Sequence, residues 1–417
     1  MKKKKLLIIC DLFPPAFGPR MGYLVKYMSS FGWDVEVITE KVKEDMFAFI
    51  ADKNKIHYID YYKNQRFRKV RWLFIVLADL LFNYKNRKIA DLAIEQIRMN
   101  HFDLILCSTY RSFPLPAALI TAKKTGLPLV SDIRDIIEQY PKNEFFTSYI
   151  PPIPLLKDLF ISFFKKQNIK ERNKVLKASD HVTTVSSWHK QLLEQQNKQI
   201  SLIYNGFDPE LFYPNPVVNS QFTITYTGRL HSFGMQDPTL LFSAIKYLSE
   251  KKVITPQLCR LEWYVDERSA ELLKKESDMY EINEYMDIKD YVPANKIPEV
   301  LNKSSILLLL TNISRPGGPR GIMGTKTFEY MAVHKPILCI RSDEDCLEET
   351  IKETNAGIAA RTEQEVIDFI KYHLDEWKKT GLTKSEIKKE KLVLYSRKEQ
   401  ALQFIRIFEQ VLEKHNG

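Results

Sequence analysis

The sequence predicts an α/β protein built from two doubly wound lobes. Short apolar runs alternate with helical patterns in the first half, and this alternation restarts after a connector that contains Asn205-Gly206 and the proline-bearing stretch 209–216. The length of 417 residues also exceeds what one compact core normally holds. We expect the first lobe at residues 1–211, the second at 212–395 and a terminal helix at 396–417.

The first lobe shows strand and helix signals in turn. Leu6–Cys10 is a continuous apolar run, typical of a buried strand of a parallel sheet, and Met21–Phe31 places apolar residues on one helical face before Gly32. Further strands are predicted at Val35–Ile38, Leu104–Cys107, Leu129–Ser131, His181–Val185 and Ile200–Ile203, and further helices at Leu115–Thr125, Ile169–Lys177 and Ser187–Gln195.

The second lobe repeats the pattern. A strand at Phe222–Thr227 precedes a helix from Pro238 to about Glu250. Later strands are predicted near Leu261–Val265, Ile306–Leu310, Pro336–Ile340 and Gly357–Ala360. From about Lys398 the last helix carries apolar residues at helical spacing, so it needs an apolar surface on one of the lobes.

Composition narrows the class of protein. Hydrophobic residues make up 44% and charged residues 27%, which describes a folded chain. Lys and Arg total 62 against 52 for Asp and Glu, and the net charge of +10 favours an anionic partner: nucleic acid, anionic lipid or a phosphorylated substrate. The basic residues are scattered, without a basic strand interleaved with aromatics, so no nucleic-acid partner is expected.

The cysteines and the chain start indicate the compartment. None of the five cysteines has the spacing of a zinc or redox motif, and several lie in apolar runs, so reduced core thiols are expected. The apolar run after MKKKK ends at Asp11, too short for a signal peptide, and no run is long enough to span a membrane. We expect a cytoplasmic protein, attached at most to a membrane face.

Two loops of the first lobe carry candidate polar groups. Ligands bind doubly wound sheets outside the carboxyl ends of the strands, and the loop from Asp11 offers Gly18 for close backbone approach and Arg20 for phosphate or sugar hydroxyls. This loop lacks the GxGxxG fingerprint of NAD sites. The alternative to a binding loop is a rigid turn with a surface arginine. In Ser131-Asp-Ile-Arg-Asp135, Asp132 and Asp135 could orient or deprotonate a hydroxyl, or form an internal Asp–Arg brace.

The segment Ser314–Ala332 is the most informative loop. It contains four glycines between a predicted strand and a helix that begins near Thr325. Glycines let backbone amides approach a diphosphate, and a helix N-terminus favours its charge. Arg320 and Lys326 would neutralise the phosphates, and Glu329 would accept hydrogen bonds from ribose hydroxyls; the alternative is a flexible loop before an ordinary helix.

At this segment the chain resembles glycosyltransferase family 4. Gly324-Thr-Lys-Thr-Phe-Glu-Tyr-Met-Ala332, followed by Lys335-Pro-Ile-Leu338, is similar to the family's donor-site helix and next strand. The resemblance continues through Ser179–Ser186 with Ile203–Asp208, Tyr226–Leu230 with Gln236–Thr239, and Tyr395–Ala401. It implies the GT-B fold, two Rossmann-like lobes with a C-terminal helix that crosses back to the first lobe.

The resemblance also implies a reaction: retaining transfer from a nucleotide-diphospho-sugar, with no metal and no further cofactor. Its donor site would be formed by Gly18, Arg20, Gly228, Arg229, Arg320, Gly324, Thr325, Lys326, Thr327 and Glu329. Arg229, Arg320 and Lys326 would stabilise the leaving diphosphate, Glu329 would hold the ribose, and Asp135 or Asp132 would meet the sugar or the acceptor hydroxyl. Two positions depart from the family: Gly321 stands where the first of two paired glutamates is usual, and the segment at Met235 lacks a usual lysine.

Two segments of the first lobe have apolar stretches with basic flanks. The segment Arg66–Phe82 is read as a buried helix or a membrane-surface helix. The second follows three prolines and presents an apolar face with lysines at its border, which indicates a helix in the interface of an anionic membrane. The residues named for membrane contact are Leu155, Leu159, Phe160 and Phe163.

Together these features predict a glycosyltransferase at the inner face of the cell membrane. It would build a cell-envelope polysaccharide, such as lipopolysaccharide, or a lipid-linked oligosaccharide. Two alternatives remain open at this point: a nucleotide-sugar epimerase of the same architecture, and a binding protein that keeps the fold without the reaction.

Overall fold

The computed structural model describes residues 3–50, 55–61, 74–75, 78–79, 82–140, 157–311, 321–340 and 346–417. Leu155, Arg320 and most of the segment 66–82 lie outside these ranges. The chain forms two compact units, Met1–Tyr204 with Arg397–Gly417, and Asn205–Ser396. The assignment of an acceptor to one lobe and a donor to the other stays a prediction.

A parallel sheet forms the centre of the first unit. Its described strands are β1 (Lys4–Cys10), β2 (Trp33–Glu40), β3 (Lys55–Ile59), β4 (Leu104–Thr109), β5 (Leu129–Ile133), β6 (His181–Thr184) and β7 (Ile200–Leu202). Their order is β3-β2-β1-β4-β5-β6-β7, so the strand order reverses between β1 and β4. In such sheets the loops diverge at the reversal and leave room for ligands at the carboxyl edge.

Helices cover both faces of this sheet. Among the described residues, those with complete bounds are α1 (Pro19–Ser30), α2 (Tyr84–Met99), α3 (Leu115–Thr125), α4 (Lys157–Ala178) and α5 (Ser187–Leu193). Two apolar clusters result, one on each face, which explains why Leu6–Cys10 of β1 and Leu104–Cys107 of β4 are unbroken apolar runs. Pro19 begins α1, where its missing amide hydrogen costs no helical bond.

The second unit has its own parallel sheet. Its described strands are β8 (Phe222–Thr227), β9 (Cys259–Tyr264), β10 (Met286–Lys289), β11 (Ile306–Leu310), β12 (Ile337–Ile340) and β13 (Gly357–Ala360). The order β10-β9-β8-β11-β12-β13 reverses between β8 and β11. The carboxyl ends of these two strands therefore mark the expected ligand edge of this unit.

The helices of the second unit surround its apolar core. They are α6 (Thr239–Glu250), α7 (Glu267–Tyr280), α8 (Ile297–Lys303), α9 (Thr325–Ala332), α10 (Cys346–Thr354), α11 (Glu363–Thr380) and α12 (Lys389–Leu392). Trp263 and Phe242 lie at the centre of this core with their rings edge to face, 6.0 Å apart. Thr362 and Glu365 form a capping box that starts α11.

The last helix, α13 (Arg397–Asn416), packs on the first unit, as the resemblance predicted. Phe404 and Phe408 join the apolar cluster beneath α1, and the ring of Phe408 lies 5.6 Å from Trp33. The terminal helix thus covers a face of the first sheet that would otherwise be exposed.

The sequence predicted the central strands but missed two edge strands. β3 and β10 have neither an apolar run nor clean alternation, because most of their residues are half-buried or exposed. The helix predicted at 169–177 is the C-terminal part of the longer α4. All five cysteines are buried.

Candidate functional site

Gly228 and Lys326 meet at the carboxyl end of β8. Gly228 has φ +113°, and a Cβ atom there would lie 2.2 Å from Nζ of Lys326. Glycine is the residue that tolerates this φ and leaves this space. The first residue after β8 is therefore a glycine because the lysine side chain lies directly against the backbone.

Lys326 is a cation in a desolvated position. Its Nζ donates a hydrogen bond of 3.4 Å to the hydroxyl of Tyr226 and lies 4.7 Å from the centre of that ring. Burial lowers the pKa of Lys326 to about 8, although the carboxylate of Glu329 acts in the opposite direction. A bound anion would raise this pKa again and favour the protonated form of the lysine.

The N-terminus of α9 lies beside this lysine. Gly324 is its N-cap residue and supplies no side-chain cap, so the first backbone amides from Thr325 onward have no capping acceptor from that residue. The Thr327 amide reaches back to the Gly324 carbonyl at 3.3 Å, and the Thr327 side chain is buried. An uncapped helix N-terminus next to a lysine has the charge and donors that bind phosphate.

Two side chains fix this helix relative to the strands. The hydroxyl of Tyr330 accepts a hydrogen bond from the Thr227 amide at 3.3 Å and bonds the Thr227 hydroxyl at 3.0 Å. Asn205 donates to the Met323 carbonyl at 3.2 Å. The helix N-terminus is thereby held at the end of β8.

Arg229 adds a second cation at the same edge. Its side chain is 58% exposed, and its Nε donates to Asp266, the N-cap of α7, at 2.7 Å. After partial burial, the charges of Arg229 and Lys326 are the largest causes that lower the pKa of His231. Arg229 and Lys326 therefore both act on the ring of His231, a residue that the sequence did not single out.

In the first unit, Arg20 and Asp132 form a buried ion pair. The guanidinium donates to both carboxylate oxygens at 3.0 and 2.9 Å, and also to the carbonyls of residues 203 and 204. Ser108 and Thr183 each donate to Asp132 at 2.8 Å. These interactions lower the pKa of Asp132 in spite of its complete burial. The arrangement is the internal Asp–Arg brace weighed from the sequence, with Arg20 rather than Arg134 as partner; the predicted substrate contacts of this pair stay predictions.

The loop that begins at Asp11 is closed tightly by Gly18. A Cβ atom at Gly18 would lie 2.7 Å from the Leu12 carbonyl oxygen, so the turn itself requires glycine. Asp11 pairs with Arg134 and accepts hydrogen bonds from the hydroxyl of Thr109 and the amide of Tyr110, both at 3.2 Å. Asp11 thereby ties together the carboxyl ends of β1, β4 and β5.

Asp135 is the carboxylate at this edge with a pKa near neutrality. Burial raises its pKa to about 6, against a hydrogen bond of 3.0 Å from the Gln139 amide nitrogen that acts to lower it. The Gln139 oxygen bonds Nε2 of His189 at 2.7 Å. Because that oxygen can only accept, His189 carries its proton on Nε2.

His189, which bonds the Gln139 side chain, is buried. Burial and then the charge of Arg172 lower its pKa to about 3, so the ring is neutral at physiological pH. Its Nδ1 has no hydrogen-bond partner within the described part of the chain. Gln139 and His189 were not singled out from the sequence. The hydrogen bonds that link His189 through Gln139 to Asp135 join residues of separate elements, which no local pattern reveals.

The predicted membrane residues lie at the start of α4. Leu159 is 69% exposed and Phe163 65% exposed, four residues apart on one helical face. Phe160 lies in the same helix, and Leu155 lies outside the described residues. Within the described residues, no helix has both the length and the apolar character to cross a bilayer.

No cluster of three potential metal ligands occurs among the residues that the structure describes. The predicted absence of a metal stays a prediction. The same holds for the donor contacts of Arg320, which lies outside the described ranges.

Comparison with known proteins gives a family match and a common fold. Residues 20–211 match the model of Glycosyltransferase Family 4. None of the curated proteins matches the chain. Among solved structures, Anabaena Alr3699/HepE in complex with UDP is similar with a TM-score of 0.66 and 14% identity, over 97% of this chain and 100% of that one.

Two further solved structures are similar. The lipopolysaccharide outer core galactosyltransferase WaaB, in its apo form, has a TM-score of 0.57 and 14% identity over 97% of this chain and 99% of that one. A Listeria monocytogenes protein, provisionally identified as a UDP-N-acetylglucosamine 2-epimerase, has a TM-score of 0.58 and 14% identity over 99% and 97%. At these identities the likeness establishes the fold.

Proposed function

Because this chain has the GT-B fold and its residues 20–211 match Glycosyltransferase Family 4, we propose that it transfers a sugar from a nucleotide-diphospho-sugar to a glycan or lipid-linked acceptor. One observation carries the proposal: Lys326 lies against Gly228 beside the uncapped N-terminus of α9. HepE has been solved with UDP and with UDP-glucose, which supports the donor class.

The second unit would hold the donor. The α9 amides and Lys326 would bind the diphosphate, and Arg229 would add a second positive charge to it. In the reaction the bond between the anomeric carbon and the diphosphate oxygen breaks, and negative charge accumulates on the diphosphate. Fixed cations and amides that meet that charge lower the barrier, which is the main catalytic contribution we assign to this unit.

Glu329 would hold the nucleoside. It lies one turn after Thr325 in α9, and its charge reaches the ammonium of Lys326. A carboxylate at this position accepts hydrogen bonds from ribose hydroxyls. The same residue would therefore both orient the nucleotide and keep Lys326 protonated.

Asp135 would bind the hydroxyl group of the acceptor. Its pKa of about 6 leaves most of the carboxyl ionised at neutral pH, so it can accept a hydrogen bond from an acceptor hydroxyl. That hydroxyl oxygen forms the new bond to the anomeric carbon, and its proton passes to the departing diphosphate. Attack from the side that the diphosphate leaves gives retention of configuration, which we propose for this chain.

The proposed reaction needs no metal ion. Lys326 and Arg229 are two cations at the end of β8 that would balance a diphosphate. We therefore expect the transfer rate to be unchanged by a chelator.

The acceptor would be met at an anionic membrane, on the cytoplasmic side. The exposed Leu159 and Phe163, with Lys166 and Lys170 exposed on the same helix, support this placement. We expect the protein to float with vesicles that contain phosphatidylglycerol, and a Leu159→Asp/Phe163→Asp variant to remain in the unbound fraction. Equal flotation of both proteins would contradict the membrane assignment.

Two alternatives to a transferase are a binding protein that keeps the fold and a nucleotide-sugar epimerase. Gly321, which stands at a usual glutamate position, has φ +66°, where glutamate would be strained, so this loop differs from the family pattern. A binding protein without transfer would share that departure. An epimerase, favoured by the similarity to the Listeria protein, would act on the nucleotide sugar without an acceptor.

The test is a product assay with radiolabelled UDP-glucose and other nucleotide sugars, with and without membrane lipid extract. Transfer to the extract that disappears in Lys326→Ala, but not in the exposed control Lys352→Ala, supports the proposal. Conversion of the donor sugar or release of free sugar in the absence of extract indicates the epimerase. No turnover in either condition indicates the binding protein.

A further inference from the structure

Three phenylalanine rings, two of them exposed and the third half-buried, form a cluster at the carboxyl edge of the first sheet. The Phe17 and Phe47 rings are 5.6 Å apart and edge to face, and the Phe47 and Phe49 rings are 5.8 Å apart. Phe17 is 51% exposed and Phe49 43% exposed. We refer to Phe17, Phe47 and Phe49 as the aromatic cluster.

The backbone holds the aromatic cluster in place. The Phe47 amide donates to the Pro15 carbonyl at 2.9 Å, which joins the loop after β1 to the loop after β2. The Ile50 amide donates to the Phe47 carbonyl at 3.0 Å, and the buried Ile50 side chain packs against Gly22 of α1. The exposed rings of Phe17 and Phe49 thus lie on loops that hydrogen bonds and packing hold in place. A fixed apolar surface that remains in contact with water is typical of a binding site.

The charged residues of the loop that carries Phe47 favour a neutral ligand. Lys41, Lys43, Glu44 and Asp45 are all exposed in the same loop, so two positive charges balance two negative ones. Glu44 also accepts a hydrogen bond from the Phe17 amide at 3.4 Å. An anionic membrane would need a surplus of lysine and arginine here, whereas carboxylates beside aromatic rings suit a ligand rich in hydroxyl groups.

The position of the cluster connects it to Asp135. The loops that carry it follow the adjacent strands β1 and β2, and the first of these loops begins at Asp11. Asp11 pairs with Arg134, the neighbour of Asp135 in the chain. The aromatic cluster and the carboxylate that we assign to the acceptor therefore lie on loops of the same edge of one sheet.

We propose that the aromatic cluster binds a neutral sugar ring of the acceptor. The C–H face of a pyranose carries partial positive charge and packs on the negative face of an aromatic ring, while its hydroxyls reach Glu44 and Asp45. The acceptor is then a glycan whose penultimate or terminal sugar is uncharged. This inference rests on the proposed function, since only a transferase has an acceptor, and the binding of a neutral sugar is tested separately.

The test uses saturation-transfer difference NMR on the full chain, with chitobiose, lactose and maltotriose as probes. We compare the unaltered protein with a Phe17→Ala/Phe49→Ala variant and with Tyr372→Ala, which removes an aromatic side chain of 62% exposure from α11. Because the altered rings are exposed, the variants should unfold at the temperature of the unaltered protein. UDP binding is measured on all three by calorimetry.

We expect saturation of the sugar ring protons in the unaltered protein and in Tyr372→Ala, and binding about tenfold weaker in the double variant, with UDP affinity unchanged. Equal binding by the double variant, or no binding of any probe, overturns the inference. So does loss of vesicle binding or of dimerisation in the double variant, which would assign the cluster to a membrane or a second copy. Sugar binding without UDP binding supports the cluster and contradicts the proposed function.

Discussion

The ammonium of Lys326 occupies the space that a side chain on Gly228 would need, since a Cβ atom there would lie 2.2 Å from Nζ and 2.6 Å from Cε. The two residues are far apart in the sequence, and the strand order of the second sheet brings them together at the end of β8. The position of Lys326 therefore depends on the absence of a side chain at residue 228, and this lysine is part of the proposed diphosphate site.

Replacement of Gly228 by alanine should displace Lys326 and weaken nucleotide diphosphate binding. The lost hydrogen bonds to a charged group correspond to about tenfold or more in affinity. Calorimetric titration with UDP measures the change. Gly126→Ala is the control, because Gly126 has a similarly positive φ of +75° with no atom within 4 Å of its Cβ position, and it should bind UDP like the unaltered protein.

Nucleotide binding should weaken as the pH rises through about 8. The pKa of Lys326 is lowered to about 8 in the free protein, so the ammonium deprotonates there and the diphosphate loses a positive partner. A bound diphosphate favours the protonated lysine, so binding above that pH takes up a proton, which titrations in buffers of different ionisation enthalpy detect. Lys326→Arg should bind without this pH dependence; the same dependence in that variant would exclude Lys326 as its source.

The transfer rate should fall as the pH drops through about 6, where Asp135 becomes protonated. Gln139 donates to this carboxylate and lowers its pKa, so Gln139→Leu should move the acidic limb of the pH–rate profile to higher pH. Asp135→Asn should lose most of the transfer while it binds UDP normally. An unshifted limb in Gln139→Leu would show that another group titrates.

The Arg20–Asp132 pair should stabilise the first unit, chiefly because neither charge can be left alone in the interior. Arg20→Met leaves Asp132 buried without its cation and should lower the free energy of unfolding by about 3–5 kcal/mol. The double variant Arg20→Met/Asp132→Leu should lose much less than the sum of the single variants. Equilibrium urea denaturation measures both.

The pH dependence of this stability follows from the direction of the shift. The pKa of Asp132 is lowered in the folded protein, so its contribution is present above the unfolded value of about 3.9 and is lost as the pH falls further. A free energy of unfolding that stays level below that pH in the unaltered protein would contradict the assignment.

Local patterns predicted the centre of the fold because the central strands are buried on both faces. Leu6–Cys10 of β1 and all of β11 are unbroken apolar runs for that reason, whereas the half-buried β3 and β10 have no such pattern. The segment around Lys326 was also visible, since glycines before a helix are a local pattern.

Long-range partners could not be read from the sequence. Arg20 and Asp132 are 112 positions apart in the sequence, and Gln139 and His189 are 50 apart, yet each pair is hydrogen-bonded. The strand order of the sheet brings them together, and no local pattern specifies that order. The sequence therefore left open whether Asp132 meets a substrate or braces the fold, while the geometry shows the brace.

The most direct test of the proposed donor site is calorimetric titration of the protein with UDP, GDP and their sugar conjugates, beside Lys326→Ala and the exposed control Lys352→Ala. We predict that one nucleoside diphosphate binds to the unaltered protein and to the control, and that Lys326→Ala weakens this binding by about tenfold or more. If all three proteins bind the nucleotide with equal strength, or if none of them binds any nucleotide, the proposed donor site at Lys326 is contradicted.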